Sequence, residues 1–108
     1  MRVLFDQGTP VGIRQSPLDH TVRTANEQGW STLLNGQLLR AAQEARFDVL
    51  VTTDTNLPFQ QNLEGRVIAV VILSKNRWNL IRRMLPQIAA AVAAAKPGRC
   101  NIVEILEG

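Results

Sequence analysis

The stretch RVIAVVIL, residues 66 to 73, decides the fold class of this chain. Apart from its first residue the stretch is apolar throughout, and it shows no alternation between apolar and polar positions. A strand with one face in water alternates, whereas a central strand of a parallel sheet is covered by helices on both faces. The stretch is therefore predicted to be a buried central strand of an α/β domain.

Four more short segments are rich in Val, Ile, Leu and Thr and are bounded by polar or turn residues. They are RVLFD (2 to 6), TVRTA (21 to 25), FDVLVTT (47 to 53) and NIVEIL (101 to 106). Between them, GQLLRAAQEARF (36 to 47) places leucine and alanine at helical spacing, and residues 80 to 92 repeat such an apolar face. Strands that alternate with helices predict a three-layer α/β/α sandwich with a mostly parallel five-stranded sheet.

Pro86 lies inside the second helical pattern, where proline removes a backbone donor and clashes with the preceding turn. The helix is therefore predicted to kink or divide near Arg82 and Arg83. The turn sequence KPG (96 to 98) is then predicted to end it.

The length of 108 residues predicts a single domain over residues 1 to 108. Hydrophobic residues make up 45% of the chain and charged residues 19%, an ordinary globular balance. The longest apolar run, Ile88 to Ala95, is far shorter than the roughly 20 residues that a bilayer requires, so no membrane span is expected. The first residues do not resemble a secretory signal, which makes a cytoplasmic location the default expectation. The single cysteine, Cys100, is interpreted as a small core residue.

Basic residues outnumber acidic ones by twelve to nine, and the formal charge of +3 favours polyanionic partners. Four of the basic residues fall within a short stretch: Lys75, Arg77, Arg82 and Arg83. The simplest interpretation of such a cluster is the solvated face of a helix. Cations in the first turn of a helix oppose its dipole, however, by up to about 1 kcal/mol each, which favours an anion such as RNA phosphate nearby.

Ligands of open parallel sheets bind at the carboxyl ends of the strands, near the point where the strand order reverses. An acid follows each of the first three predicted strands: Asp6, Glu27 and Asp54. Taken singly, Asp6 and Asp54 are each explained by a turn or a helix cap, worth about 1 kcal/mol. If the first and third strands are neighbours, the two carboxylates converge and repel by about 1 kcal/mol or more, a conflict that a divalent cation removes. Oxygen ligands suit Mg²⁺ or Mn²⁺ rather than zinc.

Three stretches resemble the PIN-like domains, a small metal-dependent ribonuclease fold found in many bacterial toxin–antitoxin systems. They are VLFDQGTP (3 to 10), TANEQGWSTLLNGQLLRAAQEARFDVLVTTDTNL (24 to 57) and VIAVVIL (67 to 73), and the similarity extends over nearly the whole chain. The resemblance implies that Asp6 and Asp54 match the family's first and last metal-binding aspartates. It implies more loosely that Glu27 stands where an acid often follows the second strand.

Three positions depart from the family pattern. Asn35 stands where the family usually has an aspartate at the start of the helix that leads into the third strand. Gln7 stands where many relatives have glutamate, and Asn56 where many have a second aspartate. Asn35 brings no charge, although it can hydrogen-bond a water on the metal or cap the helix. Because Mg²⁺ needs only one or two carboxylates plus phosphate oxygens, metal binding is still expected, but it should be weak.

The predicted reaction is metal-assisted hydrolysis of RNA phosphodiester bonds. Asp6 and Asp54, with Glu27, are predicted to hold the cation, while Glu27 or Asn35 orients the attacking water. The RNA is predicted to lie against the residues that follow the fourth strand and begin the last helix, namely Ser74, Lys75, Asn76, Arg77, Arg82 and Arg83. Trp78 could stack on a base, but packing against the sheet is the simpler interpretation.

Two hypotheses of different classes follow. The first is a small Mg²⁺- or Mn²⁺-dependent ribonuclease of the toxin type, neutralised by a cognate antitoxin protein. The second is a catalytically weakened PIN-like module that binds RNA or a partner protein without cleaving RNA, and a homodimer is a further candidate assembly. A phosphoacceptor domain of the two-component type is ranked third, since such a domain usually has a pair of acids before its first aspartate and this stretch is apolar.

Overall fold

All five predicted strands are present, and they form one sheet in the computed structural model of the chain, which describes residues 1–10, 12–13, 21–57, 63 and 65–107. The strands are β1 (Arg2–Phe5), β2 (Thr21–Thr24), β3 (Val49–Thr52), β4 (Ala69–Leu73) and β5 (Cys100–Val103). The order across the sheet is β2-β1-β3-β4-β5, and every neighbouring pair is parallel. The prediction of an α/β domain with a five-stranded sheet is confirmed, and the sheet is parallel throughout.

The helices are α1 (Asn35–Glu44), then α2 (Trp78–Ile81), a 3-10 turn (Arg82–Met84) and α3 (Leu85–Ala93). Pro86 lies in the first turn of α3. Backbone amides in that turn have no acceptor within the helix, so the missing donor of proline removes no helical hydrogen bond. The predicted last helix is therefore divided at the 3-10 turn that contains Arg82 and Arg83, as its proline indicates.

The central strands are buried on both faces, as their composition predicts. Every residue of β3 and β4 is buried, whereas Val67, which precedes β4, is exposed. Alternate residues of the strands enter two separate apolar clusters. One cluster combines Val51 of β3 with Ile88 of α3, and the other combines Leu50 of β3 with Leu39 of α1. The sheet is thus fixed by apolar contacts on each side, which leaves its carboxyl edge for polar residues.

Helix α1 ends in a hydrogen-bonded reversal that leads the chain into β3. The amide of Phe47 donates to the carbonyl oxygen of Ala42 at 2.9 Å, and the amide of Arg46 donates to that of Gln43 at 3.1 Å. This is the pattern of a Schellman cap, which requires a left-handed residue. Arg46 has that conformation, with φ at 64°. A residue with a Cβ pays about 1 kcal/mol or more for it.

Replacing Arg46 by glycine is expected to raise the free energy of unfolding by about 0.5–1 kcal/mol, because glycine adopts the left-handed conformation without steric cost. The matched control is Arg40→Gly, at an exposed position inside α1, which should lower the free energy of unfolding by about 1 kcal/mol. Urea denaturation of both variants measures the two effects. A loss of stability in Arg46→Gly would contradict the cap.

Candidate functional site

The strand order of this sheet reverses between β1 and β3. The chain leaves β1 to form β2 on one side and later returns to form β3 on the other side. In doubly wound sheets of this order, ligands bind at the carboxyl ends of these two strands. Asp6 directly follows β1, and its amide donates to the carbonyl oxygen of Val51 at 2.9 Å. Thr52 ends β3, and Asp54 comes two residues later.

The buried side chain of Thr52 links the two predicted aspartates. Its hydroxyl donates to Oδ2 of Asp6 at 2.8 Å and accepts a hydrogen bond from the amide of Asp54 at 3.1 Å. Thr52 is 0% exposed, so its hydroxyl depends on these partners. The carboxylate of Asp6 and the backbone amide of Asp54, which lie far apart in the sequence, are therefore brought together at the switch point of the sheet.

The loop after β1 is held against the end of β3. The amide of Thr9 donates to the carbonyl oxygen of Asp6 at 2.9 Å, and its hydroxyl donates to the carbonyl oxygen of Val51 at 3.0 Å. A Cβ on Gly8 would lie 3.1 Å from Oγ1 of Thr53, which is tighter than an ordinary contact. The loop therefore leaves Asp6 at the rim of the sheet, where its carboxylate is only partly buried.

Both aspartates also stabilise turns, which is the role that explains each of them when it is considered alone. Oδ1 of Asp6 accepts the amide of Gln7 at 2.7 Å, and Oδ1 of Asp54 accepts the amide of Asn56 at 3.0 Å. A carboxylate has about four lone-pair positions on its two oxygens. A hydrogen bond to an amide therefore does not prevent the same carboxylate from binding a cation, and the two interpretations are compatible.

Glu27 forms a reciprocal hydrogen-bonded pair with Thr24. Its Oε1 accepts the amide of Thr24 at 2.9 Å, and its own amide donates to Oγ1 of Thr24 at 3.1 Å. The spacing from threonine to glutamate is that of a capping box, a signal that the sequence interpretation missed. Among the described residues, no group of three His, Cys, Asp or Glu could hold a metal. A role for Glu27 as third ligand stays a prediction.

Asn35 is the first residue of α1, and its side chain lies outside the part of the chain that the structure describes. The expectation that Asn35 caps this helix is wrong, because the N-cap residue is Leu34. The amide of Leu34 donates to Oε1 of Gln37 at 3.2 Å. The side chain of Gln37 thus satisfies a backbone donor at the start of the helix.

Three of the predicted RNA contacts instead hold the segment that follows β5. Oγ of Ser74 accepts the amide of Ile105 at 2.7 Å, and Nζ of Lys75 donates to the carbonyl oxygen of the same residue at 3.3 Å. Oε1 of Glu107 then lies 3.5 Å from Nζ of Lys75 and 3.6 Å from a guanidinium nitrogen of Arg77. These ion pairs are exposed, and such pairs contribute only about 0–1 kcal/mol.

The other predicted RNA contacts differ from these three. Asn76, Arg82 and Arg83 are exposed. Within the described ranges, neither Arg82 nor Arg83 forms an ion pair. The predicted basic cluster therefore consists of two parts. Lys75 and Arg77 are bound to Glu107, whereas Arg82 and Arg83 are exposed to solvent.

The chemistry of the two aspartates limits the kind of metal they can hold. Carboxylate oxygens are ligands for hard cations, and Mg²⁺ commonly keeps several waters and takes one or two carboxylates plus phosphate oxygens of a substrate. Asp6 and Asp54 fit such an ion. They do not by themselves form a complete cage of protein ligands.

Elsewhere, burial raises the pKa of the Cys100 thiol, which disfavours a thiolate nucleophile there.

Comparison of the chain with protein-family models, with curated proteins and with solved structures finds no match in any of the three. The resemblance to PIN-like domains therefore stays a prediction from sequence motifs. In the described part of the chain, no helix combines the length and the apolar character needed to cross a membrane. The residues at the carboxyl edge of the sheet therefore carry the evidence for function.

Thr52→Val is expected to lower the free energy of unfolding by about 1.5–3 kcal/mol, because it removes a buried hydrogen bond to a carboxylate and leaves the amide of Asp54 without this acceptor. The control is Thr21→Val, at an exposed position of β2, which should change stability by less than about 0.5 kcal/mol. Chemical denaturation without divalent metal makes the comparison. Equal stability of the two variants would show that the hydroxyl does not join the two aspartates.

Proposed function

We propose that this chain is a Mg²⁺- or Mn²⁺-dependent ribonuclease of the PIN-like type, with the three-layer α/β/α sandwich of that class. The observation that carries the proposal is that the buried hydroxyl of Thr52 joins the carboxylate of Asp6 to the backbone amide of Asp54 at the β1/β3 switch point. The two apolar clusters on the faces of the sheet support the sandwich architecture. A toxin role and a cognate antitoxin partner are part of the proposal and rest on the motif resemblance.

A cation as the ligand of Asp6 and Asp54 is supported by the repulsion that two carboxylates at this edge of the sheet experience when they approach each other. Two unit charges about 4 Å apart repel by about 1 kcal/mol in water and by about 4 kcal/mol near a protein surface. The hydrogen bonds from Thr52 and from nearby amides offset part of this cost. A divalent cation between the carboxylates replaces this repulsion by attraction, so that the site is more stable with metal than without it.

The roles of the residues in the proposed reaction follow from their positions. A divalent cation, when bound, polarises a phosphate oxygen and lowers the pKa of a water toward neutrality. Asp6 and Asp54 would hold that ion, and the hydroxyl of Thr52 fixes one oxygen of Asp6. Glu27 or Asn35 is assigned the orientation of the attacking water. The cations after β4 bind the phosphates of the RNA.

A second candidate function is a PIN-like module that binds RNA or a partner protein without cleaving RNA. The observation that favours it is that the described residues contain no group of three potential metal ligands. The uncharged residues Gln7, Asn35 and Asn56, at positions where the family often has acids, point the same way. In this case the two aspartates are structural, and they contribute turns at the rim of the sheet.

A phosphoacceptor domain ranks below both. The strand order β2-β1-β3-β4-β5 is one that such domains share. The residues before Asp6 are the buried Val3, Leu4 and Phe5 of β1, however, in place of the expected pair of acids. A metal ion that positions a phosphoryl group on an aspartate would lack both of these carboxylates here.

RNA cleavage in the presence of Mg²⁺ or Mn²⁺ should fall at least about 100-fold in Asp6→Asn and in Asp54→Asn, since the loss of a metal ligand removes several kcal/mol of transition-state stabilisation. The matched control is Asp48→Asn. Asp48 lies at the opposite edge of the sheet, where its Oδ2 accepts the amide of Arg2 at 2.8 Å, and its replacement should leave the rate unchanged. A gel assay with fluorescent RNA measures the rates.

Two outcomes of this assay would decide against the proposal. Cleavage that survives in both Asp6→Asn and Asp54→Asn would show that the reaction occurs elsewhere. RNA binding without cleavage in the unmodified protein would establish the second candidate function. Asp48→Asn guards against a general effect of losing one negative charge.

Thermal unfolding with Mn²⁺ or Mg²⁺ tests the metal site without any assumption about RNA. A metal that binds only the folded chain, at a free concentration of ten times its Kd, adds about 1.4 kcal/mol to the free energy of unfolding. This raises the Tm of a domain of this size by several degrees. The shift should disappear in Asp6→Asn and persist in Asp48→Asn. A shift of equal size in both variants would indicate metal binding at another site.

A further inference from the structure

The outer edge of the sheet is formed by β5, which is hydrogen-bonded on one side. β5 is the last strand in the order β2-β1-β3-β4-β5, and among the residues that the structure describes no strand lies beyond it. On the inner side, the carbonyl oxygen of Arg99 accepts the amide of Val70 at 3.0 Å. The carbonyl oxygen of Val103 accepts the amide of Ser74 at 3.1 Å. These two bonds establish which backbone groups of β5 point toward β4.

The alternate residues Cys100, Ile102 and Glu104 direct their N–H and C=O groups away from the sheet. In a parallel ladder, one residue of a strand bonds to the neighbouring strand on one side and the next residue points to the other side. Within the described ranges, no backbone group accepts from or donates to these three residues at the edge. Such a row of unpaired groups is a template for another strand.

β5 lacks the features that usually protect an edge strand from pairing. Charged side chains, proline and bulges are the common forms of protection. β2, at the opposite edge, carries Arg23 within its four residues, whereas β5 (CNIV) contains neither a charged residue nor proline. The side chain of Ile102 is 56% exposed, so this edge also has an apolar residue in contact with water. The edge at β5 is therefore the one suited to pairing.

The two ends of β5 carry charges of opposite sign. Lys96 and Arg99 precede the strand, Glu104 and Glu107 follow it, and all four residues are exposed. When two identical strands pair antiparallel, the positive end of each lies beside the negative end of the other, whereas parallel pairing places like charges together. In the described part of the chain, neither Arg99 nor Glu104 forms an ion pair. The charge pattern thus complements an antiparallel copy of the same strand.

We propose that β5 pairs antiparallel with β5 of a second copy of this chain, about a twofold axis at Ile102. In this register Ile102 lies opposite Ile102 of the second copy, and Cys100 lies opposite Glu104 of the second copy. Each of these residues has both its N–H and its C=O at the edge, so the bonds are reciprocal, as an isologous interface requires. The two exposed isoleucines leave water together. The two five-stranded sheets join in one continuous sheet.

This dimer leaves both candidate metal sites accessible. In the sheet, β4 separates β5 from β3, so the pairing does not involve Asp6 or Thr52. Because the strands run antiparallel across the twofold axis, the carboxyl edges of the two sheets face in opposite directions. Each copy therefore has its own site, and dimerisation is independent of whether the chain cleaves RNA.

Sedimentation equilibrium of the full chain tests the pairing directly. The average mass should rise with concentration from that of one chain toward that of two, with a Kd between about 1 μM and 1 mM, the range expected of a small interface. Ile102→Lys should weaken the dimer at least about 10-fold, because it removes the apolar contact and places two cations opposite each other. The matched control is Thr21→Lys, at an exposed position of β2, which should leave the Kd unchanged.

A second variant tests the backbone contribution. Ile102→Pro removes an amide that points away from β4, so it removes no hydrogen bond of the sheet, and proline is tolerated at such positions of edge strands. This variant should also weaken the dimer. Thermal melts of both Ile102 variants establish that the monomer is still folded.

Charge exchange tests the antiparallel direction. Arg99→Glu and Glu104→Arg should each weaken the dimer by about 2- to 30-fold, because each removes two exposed ion pairs across the interface. The double variant Arg99→Glu/Glu104→Arg should restore the original Kd, since the ends of the strand then carry exchanged charges. In a parallel pair, neither the loss nor the recovery would occur.

Three results would overturn the proposal. The first is a chain that stays monomeric up to about 1 mM, a concentration at which even weak specific pairing is populated. The second is a dimer that persists unchanged in folded Ile102→Lys and Ile102→Pro variants, which would place the interface elsewhere. The third is a folded double charge variant that does not recover the affinity lost in the single variants. None of these results alters the outcome of the RNA cleavage assay.

Discussion

Parallel pairing of β1 with β3 is the constraint on which the candidate site depends. Phe5 lies opposite Val51 in this register, so the next residues, Asp6 and Thr52, lie side by side at the carboxyl edge of the sheet and form a hydrogen bond. A shift by one residue would turn every side chain of β3 to the other face. Because all residues of β3 are buried, the apolar clusters on both faces oppose such a shift. The geometry of the polar edge is therefore set by packing in the core.

Local patterns are enough to predict the strands and the division of the last helix. Buried parallel strands need runs of apolar, often β-branched residues, and such a run is a local signal. Pro86 interrupts the helix only in the turn where it lies, so its signal is also local. The pairing of Asp6 with Asp54 is predicted only on the condition that β1 and β3 are neighbours. That condition depends on segments 46 residues apart, and a local pattern does not contain it. The pair Thr24 and Glu27 is different, since its capping spacing can be read directly from the sequence.

The residues after β4 show that basic residues counted together in the sequence can have different surroundings in the structure. Lys75 and Arg82 look equivalent in the sequence, yet Lys75 contacts the segment after β5 while Arg82 is exposed on a helical turn. Composition cannot separate them, because the difference comes from where the C-terminal residues return to the sheet. The contact of Trp78 with Gly12 is equally hidden, since it requires the β1 loop to reach the start of α2.

The bridging carboxylate of Glu107 has a consequence for any anion that approaches Lys75 and Arg77. One oxygen of Glu107 occupies the position between these two cations, which is where an oxygen of an incoming polyanion would bind. Association at this point is therefore an exchange, in which a resident anion leaves as another arrives. Added electrolyte weakens the departing contact together with the new one. Affinity contributed by these two side chains should accordingly respond to ionic strength less steeply than affinity contributed by arginines that have no competitor.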